Sequence, residues 1–258
     1  MRKLGLGIAL VATTGCSLFN SFLGQATSNE GTNLANRAVP VQAAPAGRGG
    51  GMSSAMMANP AFLNMYMNVI FTYAFSSGGY DVAPVAYKPG QYTRWTGKTQ
   101  DGKGIELERA FLFTDAKGNQ WWKVKWTDEE QKTLVLEGLL NPKENRFVRM
   151  RAKFPHEAEG KELPVDESTY YAPPQKLSKE SIEGATKGVE TIKVPAGSFK
   201  ATHVVFGGMG GTHEWWLDKK VPGGTVRKLM KNPKGDDEQW DMQLQAYGND
   251  ARTELGSR

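Results

Sequence analysis

A single cysteine in 258 residues excludes a disulfide framework and any multi-thiolate zinc site. His156, His203 and His213 are the only histidines, so a metal centre would need all three or help from carboxylates. Hydrophobic residues reach only 39% and the mean hydropathy is -0.49, which excludes a multi-span membrane protein. Gly207-Gly208-Met209-Gly210-Gly211 reads as a hairpin tip, not a phosphate loop, because no Lys-Ser/Thr follows and no helix opens there. No serine sits in a nucleophile elbow. Two things are abundant. Thirty Gly and 13 Pro give many turns without reaching low complexity, and 10% aromatics with seven Trp are too many for a disordered chain.

The first residues read as an address and not as part of the fold. Arg2 and Lys3 form a positive n-region, Leu4 to Ala12 an apolar h-region, and Thr13-Thr14-Gly15 a small-residue run into Cys16. This pattern resembles a bacterial lipoprotein signal, with Thr13 where Leu is commonest. The resemblance implies removal of residues 1–15, diacylglycerol and palmitate on Cys16, and, because Ser17 follows where a retention signal would place Asp, sorting to the outer membrane. A plain secretory signal and a short membrane anchor are the alternatives. Nine apolar residues span only about 14 Å as a helix against about 30 Å of hydrocarbon. Loss of Arg2 and Lys3 leaves 30 basic against 27 acidic residues, so the charge falls from +5 to +3 and a nucleic-acid partner is not expected.

Residues 16–58 read as anchor and flexible linker. From Ser17 to Ala58 the only charges are Glu30, Arg37 and Arg48, and the stretch is too polar and small to offset its ordering entropy. As a coil it reaches roughly 35 Å.

Residues 59–258 read as a single β-rich domain. Asn59 is a good N-cap and Pro60 suits the first helical position. The uncharged run that follows carries Phe62, Met65, Tyr66, Val69, Ile70 and Tyr73 at helical spacing, opposite Asn64, Asn68 and Thr72. It predicts an amphipathic helix packed on the core, or a plug over an apolar cavity. From Tyr80 the period becomes two. Strands are predicted at Gln91–Gly97, Ile105–Thr114, Gln120–Thr127, Lys132–Leu140, Arg146–Phe154, Val189–Val194, Phe199–Phe206, Thr212–Asp218, Thr225–Met230 and Glu238–Tyr247, with a short helix or edge strand at Leu177–Glu183. The fold class is therefore mainly β: a curved antiparallel sheet, open or half-barrel, with one N-terminal amphipathic helix packed on it.

Strand alternation sorts the tryptophans. Trp122, Val124 and Trp126 share one face, and Trp121, Lys123 and Lys125 the other. Trp215 goes with Leu217 on an apolar face, while Trp216 lies beside Glu214 and Asp218. Trp240, Met242, Leu244 and Ala246 point one way on the last strand. Either the inner tryptophans fill the core, or they line a cavity. In the second case Trp122, Trp126, Trp215 and Trp240, with Phe62, Met65 and Val69 of the helix, are the candidate ligand-binding residues. Glu106, Glu108, Glu157 and Glu159 read as solvated edges. His203, beside Ala201 and Val205, reads as a satisfied core or edge histidine. His213 and Glu214 fall on opposite faces of a strand, a poor acid/base pair.

Val194-Pro195-Ala196-Gly197-Ser198-Phe199-Lys200-Ala201, Glu214-Trp215-Trp216-Leu217 and Val221-Pro222-Gly223-Gly224-Thr225-Val226 resemble uncharacterised exported β-proteins similar to lipoprotein and lipid carriers of the Lol type. That resemblance covers residues 189–230. It implies a curved sheet around an apolar groove that takes an acyl chain, and it transfers no functional residue. The expectation is a non-enzymatic, lipid-anchored binding protein of the cell envelope, facing the periplasm or the cell surface, with no cofactor and no metal. It would hold a lipid or acyl chain, or alternatively contact an envelope protein or peptidoglycan; a hydrolase of envelope polymers is the third class.

Overall fold

Turn chemistry sets the hairpins of the chain. In the computed structural model, which describes residues 67, 70, 71, 74, 75, 80–82, 85–98, 104–155, 157–167, 169, 171, 173–208, 211–231 and 238–257, the Asp115 carboxylate accepts from the N–H groups of Lys117 at 2.8 Å and Asn119 at 2.9 Å. Gly118 takes φ +86°, where a side chain would be strained. The Asp128 carboxylate accepts from the Lys132 N–H at 2.8 Å in the next turn, and the Asn141 side chain accepts from the Lys143 N–H at 3.0 Å in the one after. Each is an Asx-type turn that reverses the chain between alternating runs.

β2 (Tyr92–Lys98), β3 (Gly104–Thr114), β4 (Gln120–Thr127), β5 (Thr133–Asn141), β6 (Arg146–Lys153) and β7 (Lys161–Leu163) form one meander, and the three turns make its β3–β4, β4–β5 and β5–β6 connections. A second meander contains β9 (Thr186–Val194), β10 (Gly197–Gly208), β11 (Gly211–Leu217), β12 (Thr225–Lys231) and β13 (Glu238–Gly248). Pairing of β13 with β2 fuses the two into a single eleven-stranded antiparallel sheet, in the order β7-β6-β5-β4-β3-β2-β13-β12-β11-β10-β9. The sheet is open, ending at β7 and β9. Separately, β1 (Tyr80–Asp81) pairs in parallel with β8 (Gln175–Lys176). Lys179–Ala185 is a short helix capped by Ser178, whose hydroxyl accepts from the Ser181 N–H. Register shifts at His203/Val204, Trp216/Leu217, Met230/Lys231 and Leu244/Ala246 bend and twist the second half.

The shift in β13 corrects one alternation. Leu244 pairs with Trp95, but Ala246 pairs with Arg94, so Ala246 leaves the face it was expected to share with Met242 and Leu244. Period-two patterning cannot see an inserted residue.

The inner face of β3–β6 carries the N-terminal helix. Met67, Ile70, Phe71, Ala74 and Phe75 are helical and the first four are buried. Phe71 lies 4.9 Å from the Phe147 ring and Phe75 meets Trp122 edge-on at 4.9 Å. Gly138 makes room: a Cβ there would stand 2.7 Å from Phe147 Cε1 and 3.1 Å from Phe71 Cζ. The described buried positions 67, 70, 71 and 74 share only Ile70 with the predicted apolar stripe. Gly138 leaves the gap that Phe71 occupies. Phe62, Met65 and Val69 lie outside the described residues, as does Cys16.

The other face of the same strands is covered by the C-terminal segment, residues 249–257. Glu137, fully buried, accepts hydrogen bonds from Thr253 Oγ1 at 2.7 Å, the Glu254 N–H at 2.6 Å and the Leu255 N–H at 3.2 Å. Trp121, expected on a charged outer face, is therefore fully buried, in a cluster with Ala110, Leu112 and Leu139. Glu108 is also buried and is not a solvated edge. It bonds Arg94 at 2.6 Å and Lys123 at 2.9 Å, and Lys123 reaches Glu254 at 2.9 Å. Burial alone would raise the Glu108 carboxyl, but these cations outweigh it and hold it below the usual carboxylate range.

Candidate functional site

Register places the chemistry of the β9–β13 half on two faces. On the outer face, Trp216 is sandwiched between the His203 ring, stacked at 4.5 Å, and the Arg227 guanidinium at 4.8 Å. His203 contacts Glu214 at 2.8 Å and Glu190 at 3.3 Å, while the Trp216 Nε1–H donates to Glu190. Arg227 binds Asp241 through two hydrogen bonds of 2.8 Å. Each charge in this array has its complement, so the array rivets β9 to β13. His203, expected as a satisfied core or edge histidine, is satisfied by these acids on β10, between β9 and β11.

The inner face is different. Across β12, Lys228 stands opposite Trp215 of β11 and Met242 of β13. Its amine lies 4.7 Å from the centre of the Trp240 ring, a cation–π contact. No carboxylate faces it among the described residues. Lys228 is half-buried; desolvation of its amine and then the charge of Arg109 bring it from 10.5 down to about 7. His213, on the same face and stacked on Trp215 at 5.7 Å, is lowered by burial as well.

Arg109 of β3 is the second cation of this face and is itself buried. Its Nε donates to Tyr87 Oη at 2.6 Å and its Nη1 to the Ala74 carbonyl at 2.8 Å. The guanidinium lies 4.4 Å from the Trp95 ring. The Val221-Pro222-Gly223-Gly224 turn closes over the group: Gly223, at φ +72°, donates its N–H to the Val85 carbonyl at 3.0 Å, and a Cβ there would stand 2.6 Å from Arg109 Nη2. The Trp95 Nε1–H is buried without an acceptor.

The four candidate tryptophans share the inner face but fall into two groups. Trp122, with Trp126 on the same strand, packs against Phe111, Phe75 and Tyr87 at 4.5, 4.9 and 5.6 Å. Trp240 is three strands away and Trp215 five, about 14 and 24 Å along the sheet. Alternation missed Lys228 and Arg109 because a cation on an apolar face looks like an interruption of the pattern. The signal in the sequence was Lys228 at even spacing from Val226 and Met230.

Among the described residues, no group of three His, Cys, Asp or Glu side chains could hold a metal ion, and no helix is long and apolar enough to cross a membrane. No family model matches the chain, and no curated protein does. Two solved structures are similar over part of it. The Pseudomonas aeruginosa MucA/MucB complex matches at 12% identity and a TM-score of 0.39, over 64% of this chain and 53% of that one. A crystal structure of MucB matches at 13% identity and a TM-score of 0.39, over 69% and 60%. The chain thus spans between half and three-fifths of the proteins it is similar to.

Proposed function

We propose that the chain is a non-catalytic interaction protein of the bacterial cell envelope, lipid-anchored to the outer membrane at Cys16, that docks an envelope protein on the β9–β13 half of its sheet. The observation behind this reading is the free edge. β9 is nine residues long, ends the sheet with no strand beyond it among the described residues, and is exposed at Lys187, Gly188, Val189, Glu190, Thr191 and Lys193. Val189 is 58% exposed. A long edge of unpaired backbone groups is a template for an added strand. The opposite edge, β7, has three residues. A protein partner is preferred to an acyl chain filling the sheet because Trp122, half of the cavity pictured from the sequence, is enclosed by side chains of the protein itself.

A photocrosslinking residue at Val189, compared with one at Lys117 in the β3–β4 turn, tests the docking. A discrete protein adduct is expected from 189 and not from 117 in intact cells. Equal adducts at both, or none, would sink the reading. Metabolic labelling with a palmitate analogue tests the anchor, and Cys16→Ser is expected to abolish the label.

A further inference from the structure

We infer that the segment docking beside β9 is an acidic strand, an extended peptide whose carboxylates complement Lys187, Lys193 and Lys200 and whose apolar residue covers Val189. The inference rests on docking at β9 and specifies the chemistry of what docks there.

Register carries the argument. Lys193 stands opposite Ser198, Thr191 opposite Lys200, and Val189 opposite Thr202, and residues paired in this way point to the same face. Lys193 and Lys200 are therefore diagonal neighbours on one face, and both are exposed. Thr202 pairs in turn with Leu217 of β11. The positions in register around the two lysines thus bear hydroxyl or apolar side chains, and none is acidic. The one carboxylate of β9, Glu190, stands opposite Ala201 and so on the other face, where it meets His203 at 3.3 Å and accepts from the Trp216 Nε1–H. A third cation, Lys187, is exposed where the register shifts near the start of the strand. Between the lysines, Val189 is one of two exposed large hydrophobic side chains among the described residues.

A strand laid along β9 sets its own side chains about 5 Å from these. A carboxylate beside Lys193 lies in the field of Lys200 as well. A second carboxylate six positions along falls beside Lys187, and an apolar residue between the two covers Val189. Like charges directly opposite one another destabilise a strand pair. A basic strand is disfavoured for that reason, and so is a second copy of β9, which brings the same lysines and a single acid already engaged on the other face. Lysines on an edge strand discourage indiscriminate pairing, and a strand of opposite charge is the one they admit.

The probe is a labelled peptide, Thr-Glu-Thr-Val-Thr-Val-Thr-Glu-Thr, palindromic so that it offers β9 the same side chains in either direction, titrated against the full chain by fluorescence anisotropy. It is compared with peptides in which both Glu are replaced by Gln or by Lys, and with a version N-methylated at its three central residues, which keeps the charge but loses the donors that strand addition needs. The Glu peptide is expected to bind about fivefold more tightly than the Gln peptide, with the Lys peptide weaker still, and the preference should shrink in about 0.5 M salt. The N-methylated version should lose binding. In the double variant Lys193→Glu, Lys200→Glu, whose melting curve confirms that it folds, the order should reverse in favour of the Lys peptide. If the N-methylated peptide binds as well as its parent, or no peptide binds, strand addition at β9 fails and the inference with it. If the Glu, Gln and Lys peptides bind equally while the N-methylated one does not, docking at β9 stands and the acidic partner is overturned, as it is by an unreversed order in the double variant.

Discussion

The two faces of the sheet treat charge in opposite ways: the outer face matches its charges with counter-charges, whereas the inner face meets Arg109 of β3 with a hydroxyl, a carbonyl and aromatic rings. In β2–β7, Glu108, Lys123 and Glu137 are all buried, and each is matched by a counter-ion or by backbone N–H groups. In β9–β13 the outer face is equally well matched, but on the inner face the half-buried Lys228 faces no carboxylate among the described residues. Burying a charge is costly unless it is paired. The β2–β7 half is the scaffold, held between the N-terminal helix and the C-terminal segment. On the proposed reading, the half with the nine-residue edge strand is where a protein partner adds its own strand.

The contrast can be broken most severely at Glu137. Glu137→Ala leaves two N–H groups of the C-terminal segment without their acceptor and is expected to cost about 4 kcal/mol, measurable by denaturant unfolding, with hydrogen exchange rising at residues 253–255. A stability within 1 kcal/mol of native would show that the segment is not a clasp. Next comes Gly138→Ala, which drives a methyl into Phe147 and Phe71 and should cost about 1 to 3 kcal/mol. If it were neutral, the helix would not be seated as described. The third test is pH. The unfolded lysine holds its proton up to about 10.5 and the folded Lys228 only to about 7. Between those values the unfolded state binds more protons, so stability rises with pH. The unfolding midpoint should climb across that window in the native chain and climb less in Lys228→Met; parallel slopes would contradict the burial of the amine. The smallest effect is expected for Val189→Glu, within about 0.5 kcal/mol in stability, together with loss of the crosslinked adduct seen from a neighbouring position such as Thr191.

Much of the sheet was legible. Gln120–Thr127 coincides with β4 to the residue, and most of the other predicted strands lie within about two residues of those observed, because turn residues and alternation are local signals. The Leu177–Glu183 alternative resolved into a helix, since Ser178 caps it. Three things were hidden. The seating of Phe71 against Phe147 depends on Gly138, on a strand more than sixty positions away. The burial of Trp121, Glu108 and Lys123 was set by a C-terminal segment whose sequence carries no periodicity. The departure of Ala246 from its face was set by a bulge. Alternation placed Trp215 and Trp240 on the inner face, as the structure has them, whereas Lys228 and Arg109 were passed over because hydrophobic patterning discards cations.

The sequence alone determined the strands, their turns and the alternation that assigns each side chain to a face, since all three depend on neighbours within a few residues. Only the tertiary structure decided which faces are covered and which charges are matched. Pairing of β13 with β2 brings Lys228 and Arg109 onto one face from positions more than a hundred residues apart, and whether a buried charge has a partner depends on distance in space.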